Sequence, residues 1–191
     1  RLSRPDNLMA GGVSLSQDGK QVAFTAYTST TLGEVFLSSV QNFQPRRLTS
    51  MTDQVAGYKL ATREVISWQS KDGLTIEGIL IKPADFDPSK KYPLLCIIHG
   101  GPTGIDLPAF SDARYYPVDL WTANGALVLK VNYRGSAGYG QAFRQKNVGN
   151  LGVGDAWDVL SGVDFLIAKG WVDAKRIGCM CWSQGGYISA F

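Results

Sequence analysis

The alternation of apolar and polar positions divides the chain into two stretches of different rhythm. Residues 11–26, GGVSLSQDGKQVAFTA, contain two short runs, one with Val13 and Leu15 and the other with Val22 and Phe24, separated by Asp18-Gly19. The period of two and the Asp-Gly step predict a hairpin. A third run at 34–40 and a polar segment ending in Arg46-Arg47-Leu48-Thr49-Ser50 follow. Together they have the length and rhythm of one β-propeller blade. One blade cannot bury both of its faces, so it either belongs to a larger propeller or forms a small separate sheet; no second copy of the repeat is visible in the sequence.

From Glu64 the pattern changes. Residues 65–68 and 74–82 read as strands flanking Lys71-Asp72-Gly73, followed by the loop PADFDPSKKYP. Residues 94–99 and 126–133 are continuous apolar runs with β-branched side chains. That is the pattern of strands covered on both faces in a mostly parallel sheet, with helices between them. The clearest helix is predicted over 155–169, where Ala156, Leu160, Val163 and Ile167 recur at helical spacing. Asp155 lies near the positive end of its dipole and Lys169 near the negative end, and Gly170 stops it. A strand over 176–182 runs into SQGGYISAF. Strand, helix, strand, turn and helix in that order define an α/β architecture.

Composition narrows the class without altering this plan. With 45% hydrophobic and 18% charged residues over 191 positions, the chain has the make-up of a globular protein of one or two domains. Its apolar stretches are far shorter than the roughly 18 residues of a membrane span, which argues against a membrane partner. The net charge of +3 comes from scattered Lys and Arg, paired at most as Lys90-Lys91 and Arg46-Arg47, so no nucleic-acid partner is expected. Cys96, Cys179 and Cys181 lack metal-ligand spacing and fall in runs read as buried strands, so they are expected to be structural thiols, with no metal. No charged-then-apolar leader opens the chain, which begins at Arg1 and not at Met, as an internal piece of a longer protein would. The default compartment is the cytoplasm, with periplasm and secretion left open.

The chemistry lies near the end of the sequence. Cys181-Trp182-Ser183-Gln184-Gly185-Gly186 has the form x-x-S-x-G-G at a predicted strand-to-helix turn, the place of a nucleophile elbow. Such a turn forces the serine into a strained backbone conformation and needs small residues two positions either side. Gly185 meets that need, while Cys181 stands where glycine is usual. Alone, Ser183 reads equally well as a helix-capping serine. A second segment, His99-Gly100-Gly101-Pro102, follows a predicted strand upstream, where an oxyanion loop would lie; alone it is equally a tight turn. With both in place, the backbone N–H groups of Gly101 and Gln184 would stabilise the negative oxygen formed when Ser183 attacks a carbonyl.

The segments LSQDGKQVAF, WQSKDGLTIEGILIKP, HGGP, NYRGSAGYGQAFR at 132–144 and WSQGGY resemble the prolyl oligopeptidase family of serine peptidases, most closely its acylaminoacyl-peptidase and dipeptidyl-peptidase-like branch. The resemblance spans nearly the whole chain. It implies the last blade and linker of a β-propeller over residues 1–60 and the first part of an α/β-hydrolase domain over 61–191. It makes Ser183 the nucleophile and Gly101 and Gln184 the oxyanion donors, sets His99, Tyr133 and Arg134 at the border of the site, and implies peptide substrates with no cofactor. In that family the triad acid and histidine both follow the serine, and Phe191 lies eight residues beyond Ser183. The triad is therefore expected to be completed by a following segment, which with the rest of the propeller is an expected partner, and these residues alone are expected to be inactive.

His99 is the one histidine in the sequence. It stands where relatives carry a tyrosine, and it is a poor base, because a base must face the nucleophile and be oriented in turn by an acid. Asp155 and Asp158 read as helix-start carboxylates and not as the triad acid. The thiols of Cys179 and Cys181 are expected to be unpaired, since residues two apart on a strand are poorly aimed for a disulfide. Two rivals remain at this level. An esterase or lipase would use the same elbow on the same fold, and a non-catalytic binding domain would account for Cys181.

Overall fold

A computed structural model describes residues 8–110 and 116–191. The chain forms two compact units that divide between Leu60 and Ala61, with Ala109 and Phe110 belonging to the first.

The first unit is an antiparallel meander of β1 (Met9–Leu15), β2 (Gln21–Tyr27), β3 (Glu34–Ser39) and β4 (Arg46–Arg47), in that spatial order. The predicted Asp18-Gly19 turn joins β1 to β2, with Gly19 at φ 68° donating to the Ser16 carbonyl. The period of two puts Val22, Phe24 and Ala26 of β2 on one buried face, and Phe24 stacks between Phe36 and Phe43 at centroid distances of 5.5 and 5.8 Å. Val13 and Leu15 of β1 stay exposed. The meander is closed by a carboxylate: buried Glu34 accepts hydrogen bonds from the Thr49 and Thr52 hydroxyls and from the Met51 and Thr52 N–H groups. These donors, the Thr49 hydroxyl foremost, hold its carboxyl at about 2.

The second unit is a five-stranded sheet of β5 (Thr62–Gln69), β6 (Thr75–Lys82), β7 (Tyr92–Ile98), β8 (Leu127–Asn132) and β9 (Val172–Cys181), ordered β5-β6-β8-β7-β9. The expectation of a mostly parallel sheet needs correction. Pairings β5-β6 and β6-β8 are antiparallel, and only β8-β7 and β7-β9 are parallel. Continuous apolar runs record that both faces of a strand are covered and say nothing about its direction. The tight turn at 70–73 returns β6 alongside β5, so that half of the sheet is antiparallel.

Among the described residues this unit has four α-helices: α1 (Val118–Ala123), α2 (Gln141–Gln145), α3 (Gly154–Ala168) and α4 (Gln184–Ala190). Alternate residues of β7 divide between the two faces. Leu94, Cys96 and Ile98 pack with Val159 and Leu166 of α3 and Ile188 of α4, while Leu95 and Ile97 pack with Val118 of α1. Helix α3 matches its prediction to within a residue at each end, and Gly170 follows at φ 80°. Strand β9 starts four residues earlier than predicted, because Val172 is buried against the start of β7 through a shifted register that the local pattern does not show.

All three cysteines are free thiols, but Cys179 is exposed and Cys181 half-buried, so the expectation of three buried thiols holds only for Cys96. Cys179 lies on β9, which pairs on one side alone among the described residues. Burial pushes the Cys96 thiol up to about 12. Among the described residues no helix is long and apolar enough to cross a membrane.

Leu129 on β8 is fully buried in the core shared with α3, so Leu129→Ala should cost the intact protein about 2–5 kcal/mol. Denaturant titration should show this as a lower midpoint at unchanged slope. Val148→Ala, on an exposed loop, should stay within about 0.5 kcal/mol of the parent.

Candidate active site

Strands β7 and β9 are parallel neighbours, with Ile98 opposite Cys181 at their carboxyl ends. The chain therefore leaves both strands on the same edge of the sheet, and the two loops of interest start side by side. From β9 it passes through Trp182 to Ser183, the one described non-glycine residue with positive φ, at φ 53° and ψ −116°. Helix α4 begins at the next residue. A backbone conformation of this kind costs about 1–3 kcal/mol and persists only where its surroundings over-determine it. Here the Gly185 N–H donates to the Trp182 carbonyl at 2.9 Å and the Tyr187 N–H to the Ser183 carbonyl at 3.1 Å, which locks the turn. Gly185 is required at its position because any Cβ there would run into the Ile98 carbonyl. Ser183 is left exposed at the tip of the turn.

From β7 the chain passes through His99 to Gly100, where a Cβ would stand 3.1 Å from the Ser183 Cβ and 3.1 Å from the Trp182 carbonyl oxygen. The bare backbone of the HGGP segment thus lies directly against the elbow. Gly101 follows at φ 140°. The two segments that sequence reading linked by order alone are in contact through Gly100.

His99 does not face Ser183. Its Nδ1 lies 2.8 Å from the Gly100 carbonyl, which only accepts, so Nδ1 is the donor; its Nε2 lies 3.0 Å from the Ser136 hydroxyl. The ring stacks on Tyr133 at 4.5 Å. Tyr133 is itself fully buried and donates its hydroxyl to the His99 carbonyl at 2.9 Å, and burial raises its phenol pKa. Tyr133 and His99 therefore form a brace under the HGGP turn, in which neither ring presents a polar group to an incoming ligand.

Arg134, expected at the border of the site, is engaged in a buried ion cluster. Its side chain is buried, with Nε and Nη2 on the Asp158 carboxylate and Nη1 and Nη2 on that of Asp72, at 2.8–3.0 Å. Its own N–H also donates to Asp158 at 2.7 Å, and Ser70 completes the cluster by donating to Asp158 at 2.6 Å. Burial disfavours the guanidinium charge, but the hydrogen bonds it donates to Asp158 and Asp72 outweigh this and raise its pKa. Arg134 thus anchors the loop that supplies Ser136 to His99, with its guanidinium buried in this cluster.

Asp155 and Asp158 also need a second reading. Both are fully buried. Asp158 is the counterion of Arg134, and Asp155 accepts a hydrogen bond from the Gln184 side chain at 3.2 Å. Asp155 does lie in the first turn of α3, but a helix-start role does not account for its contact with Gln184 or for those of Asp158 with Arg134. Sequence reading placed Asp72 in a turn and gave Ser70 no role, and no local pattern connects them with Arg134, which lies more than sixty positions away. Among the described residues, no group of three or more His, Cys, Asp or Glu side chains could hold a metal ion.

A strained serine between a parallel strand and a helix, with a glycine-rich loop from the neighbouring strand against it, is the backbone geometry of a nucleophile elbow in the α/β-hydrolase fold. Comparison with known proteins gives the family. Residues 112–191 match the Prolyl oligopeptidase family. An uncharacterized peptidase of Bacillus subtilis, YuxL, is 32% identical over 148 residues, covering 76% of this chain and 22% of that protein. A probable dipeptidyl-aminopeptidase B of Aspergillus clavatus is 31% identical over 182 residues, covering 94% of this chain and 19% of that protein. The crystal structure of an acylaminoacyl peptidase from Pyrococcus horikoshii superposes with a TM-score of 0.81 at 26% identity, over 97% of this chain and 29% of that one. Residues 112–191 thus belong to the prolyl oligopeptidase family, the curated relatives of the chain include proteins named as dipeptidyl and acylamino-acid peptidases, and the chain spans only 14–22% of the length of those it matches. Its two units correspond to the last blade of a propeller and the first half of an α/β-hydrolase domain.

The buried cluster yields two predictions. Arg134→Met strands two carboxylates, one of them fully buried, and should cost about 3–5 kcal/mol in denaturant unfolding of the intact protein. Hydrogen bonds from Arg134 lower the Asp72 carboxyl from its ordinary 3.8 to about 2. Because the folded value is the depressed one, the stability that Asp72 adds is fully present above about pH 4 and is lost as the pH falls towards 2. The advantage of the parent over Asp72→Asn should narrow across that interval and be constant above it.

Proposed function

We propose that this chain carries the nucleophile and oxyanion elements of a serine peptidase of the prolyl oligopeptidase type, which cleaves peptide or acyl-peptide bonds through an acyl-serine intermediate. The observation that carries this reading is the conformation of Ser183, held at positive φ on an exposed turn with the Gly100 backbone against it. In the proposed reaction the Ser183 Oγ attacks the scissile carbonyl carbon, and the resulting oxyanion is held by the N–H groups of Gly101 and Gln184. Each such donor is worth on the order of 2.7–4 kcal/mol of transition-state stabilisation. Collapse of this intermediate expels the amine and leaves the acyl group on Ser183, and water then releases it as a carboxylate.

The base and its orienting acid are assigned to residues outside these 191, because His99 is committed through both ring nitrogens to Gly100 and Ser136. An unassisted serine hydroxyl is a weak nucleophile, so the 191 residues by themselves are proposed to be inactive. Peptide substrates are supported by a structural relative, an acylaminoacyl peptidase in complex with Z-Gly-Gly-Phe-chloromethyl ketone, at 26% identity and a TM-score of 0.80.

The test is made on the intact protein. A fluorophosphonate should add covalently at Ser183, identified by peptide mass spectrometry, and Ser183→Ala should abolish both the adduct and peptide hydrolysis, lowering kcat on the order of 10⁶-fold. Hydrolysis that survives Ser183→Ala would overturn the assignment.

A further inference from the structure

The proposed reaction draws on Ser183 and two backbone N–H groups. It leaves unexplained a fully buried carboxylate beside the elbow, that of Asp155. Asp155 lies in the first turn of α3; its Oδ1 accepts from the Ala156 N–H at 2.9 Å and its Oδ2 from the Gln184 Nε2–H at 3.2 Å. No Lys or Arg among the described residues forms an ion pair with it. Its compensation is the amino end of a 15-residue helix and these two donors. Carboxylates taken out of water without a cation are costly to the fold, so stability alone does not account for this one.

Its partner is the residue that follows the nucleophile. Gln184 is the first residue of α4, and the direction of its N–H is set by the backbone torsions on either side of the Ser183–Gln184 peptide. A side chain anchored to α3 restricts those torsions. The anchor is itself fixed, because Asp158, one turn further along α3, carries the buried ion pair with Arg134. A continuous set of contacts therefore runs from the Arg134 cluster through the start of α3 and the Asp155 carboxylate to the Gln184 carboxamide, and ends at the N–H expected to meet the oxyanion.

We propose that Asp155 is a positioning residue for the oxyanion hole, holding the Gln184 side chain and through it the aim of the Gln184 N–H. This rests on Ser183 being the nucleophile. The effect belongs to the transition state, since the negative oxygen exists only there, and it should therefore appear in kcat and not in KM.

The test uses the intact protein, a chromogenic peptide substrate and a fluorophosphonate. Asp155→Ala should lower kcat about 10- to 100-fold, as small misplacements of reacting groups do, while leaving KM within about twofold. Asp155→Asn, whose amide oxygen can still accept the Gln184 Nε2–H, should restore most of the rate. Gln184→Leu, which keeps the backbone N–H but removes the tether, should reproduce the Asp155→Ala loss. The double variant should lose no more than either single one, the non-additivity expected of two groups that act as a unit.

Gln184→Leu with parental kcat would overturn the proposal, as would losses that multiply in the double variant. If Asp155→Ala fails to fold by circular dichroism, the Asp155→Asn and Gln184→Leu measurements decide the matter alone: a loss in the first without a loss in the second means that the charge of Asp155, and not its tether, is what acts. Failure of the underlying reading gives a different result, hydrolysis that persists in Ser183→Ala or a phosphonate adduct at another residue.

Discussion

The parallel pairing of β7 with β9 is the constraint on which the site rests. With Ile98 opposite Cys181, two chain segments separated by more than eighty positions emerge side by side from the same edge of the sheet, where parallel α/β sheets place their ligands. The close approach has a steric consequence on each side. Gly185 must lack a Cβ because the Ile98 carbonyl occupies that space, and Gly100 leaves room for Trp182 and Ser183. A slip of one residue in this register would turn every side chain of β9 to the opposite face and carry the serine away from the glycine loop. The strain in Ser183 is tolerable because strand, helix and neighbouring loop leave the turn no alternative.

Beneath this edge the protein uses buried polar contacts to set positions. The antiparallel hairpin of β5 and β6 serves the site through its turn, which delivers Ser70 and Asp72 to Arg134. Arg134 in turn fixes the loop after β8, which carries Tyr133 and Ser136 to His99. Buried ion pairs of this kind add little net stability compared with apolar packing, because desolvation offsets most of their attraction. Their value here is geometric: a guanidinium held by two carboxylates has one orientation, and so does the loop attached to it. The first unit shows the same device on a smaller scale, where Glu34 gathers the segment 49–52 onto β3.

Much of the plan was legible along the chain. The hairpin at Asp18-Gly19, the helix that became α3, the apolar runs of β7 and β8, and the strand-to-helix turn at Ser183 are all local, and each is written in spacing that neighbouring residues enforce on one another. The position of Ser183 could be read because the x-x-S-x-G-G pattern marks the turn, although the Ile98 carbonyl that excludes a Cβ at 185 lies on another strand. The family could be read from the order of HGGP, NYRGSAGYG and WSQGGY.

Other features were settled only by contacts across the fold. The pairing of β6 with β8, the Arg134 contact of Asp158 and the Gln184 contact of Asp155 depend on residues 24 to 88 positions distant. A charged side chain at the start of a helix has the same local sequence whether it faces water or a buried guanidinium, because the difference lies in what the rest of the chain packs against it. The sequence by itself therefore determined most of the elements and the strand-to-helix turn that carries Ser183, through local sterics and periodicity. Tertiary structure decided which buried charges hold them in place, since electrostatic partners are chosen by proximity in space, to which spacing along the chain is blind.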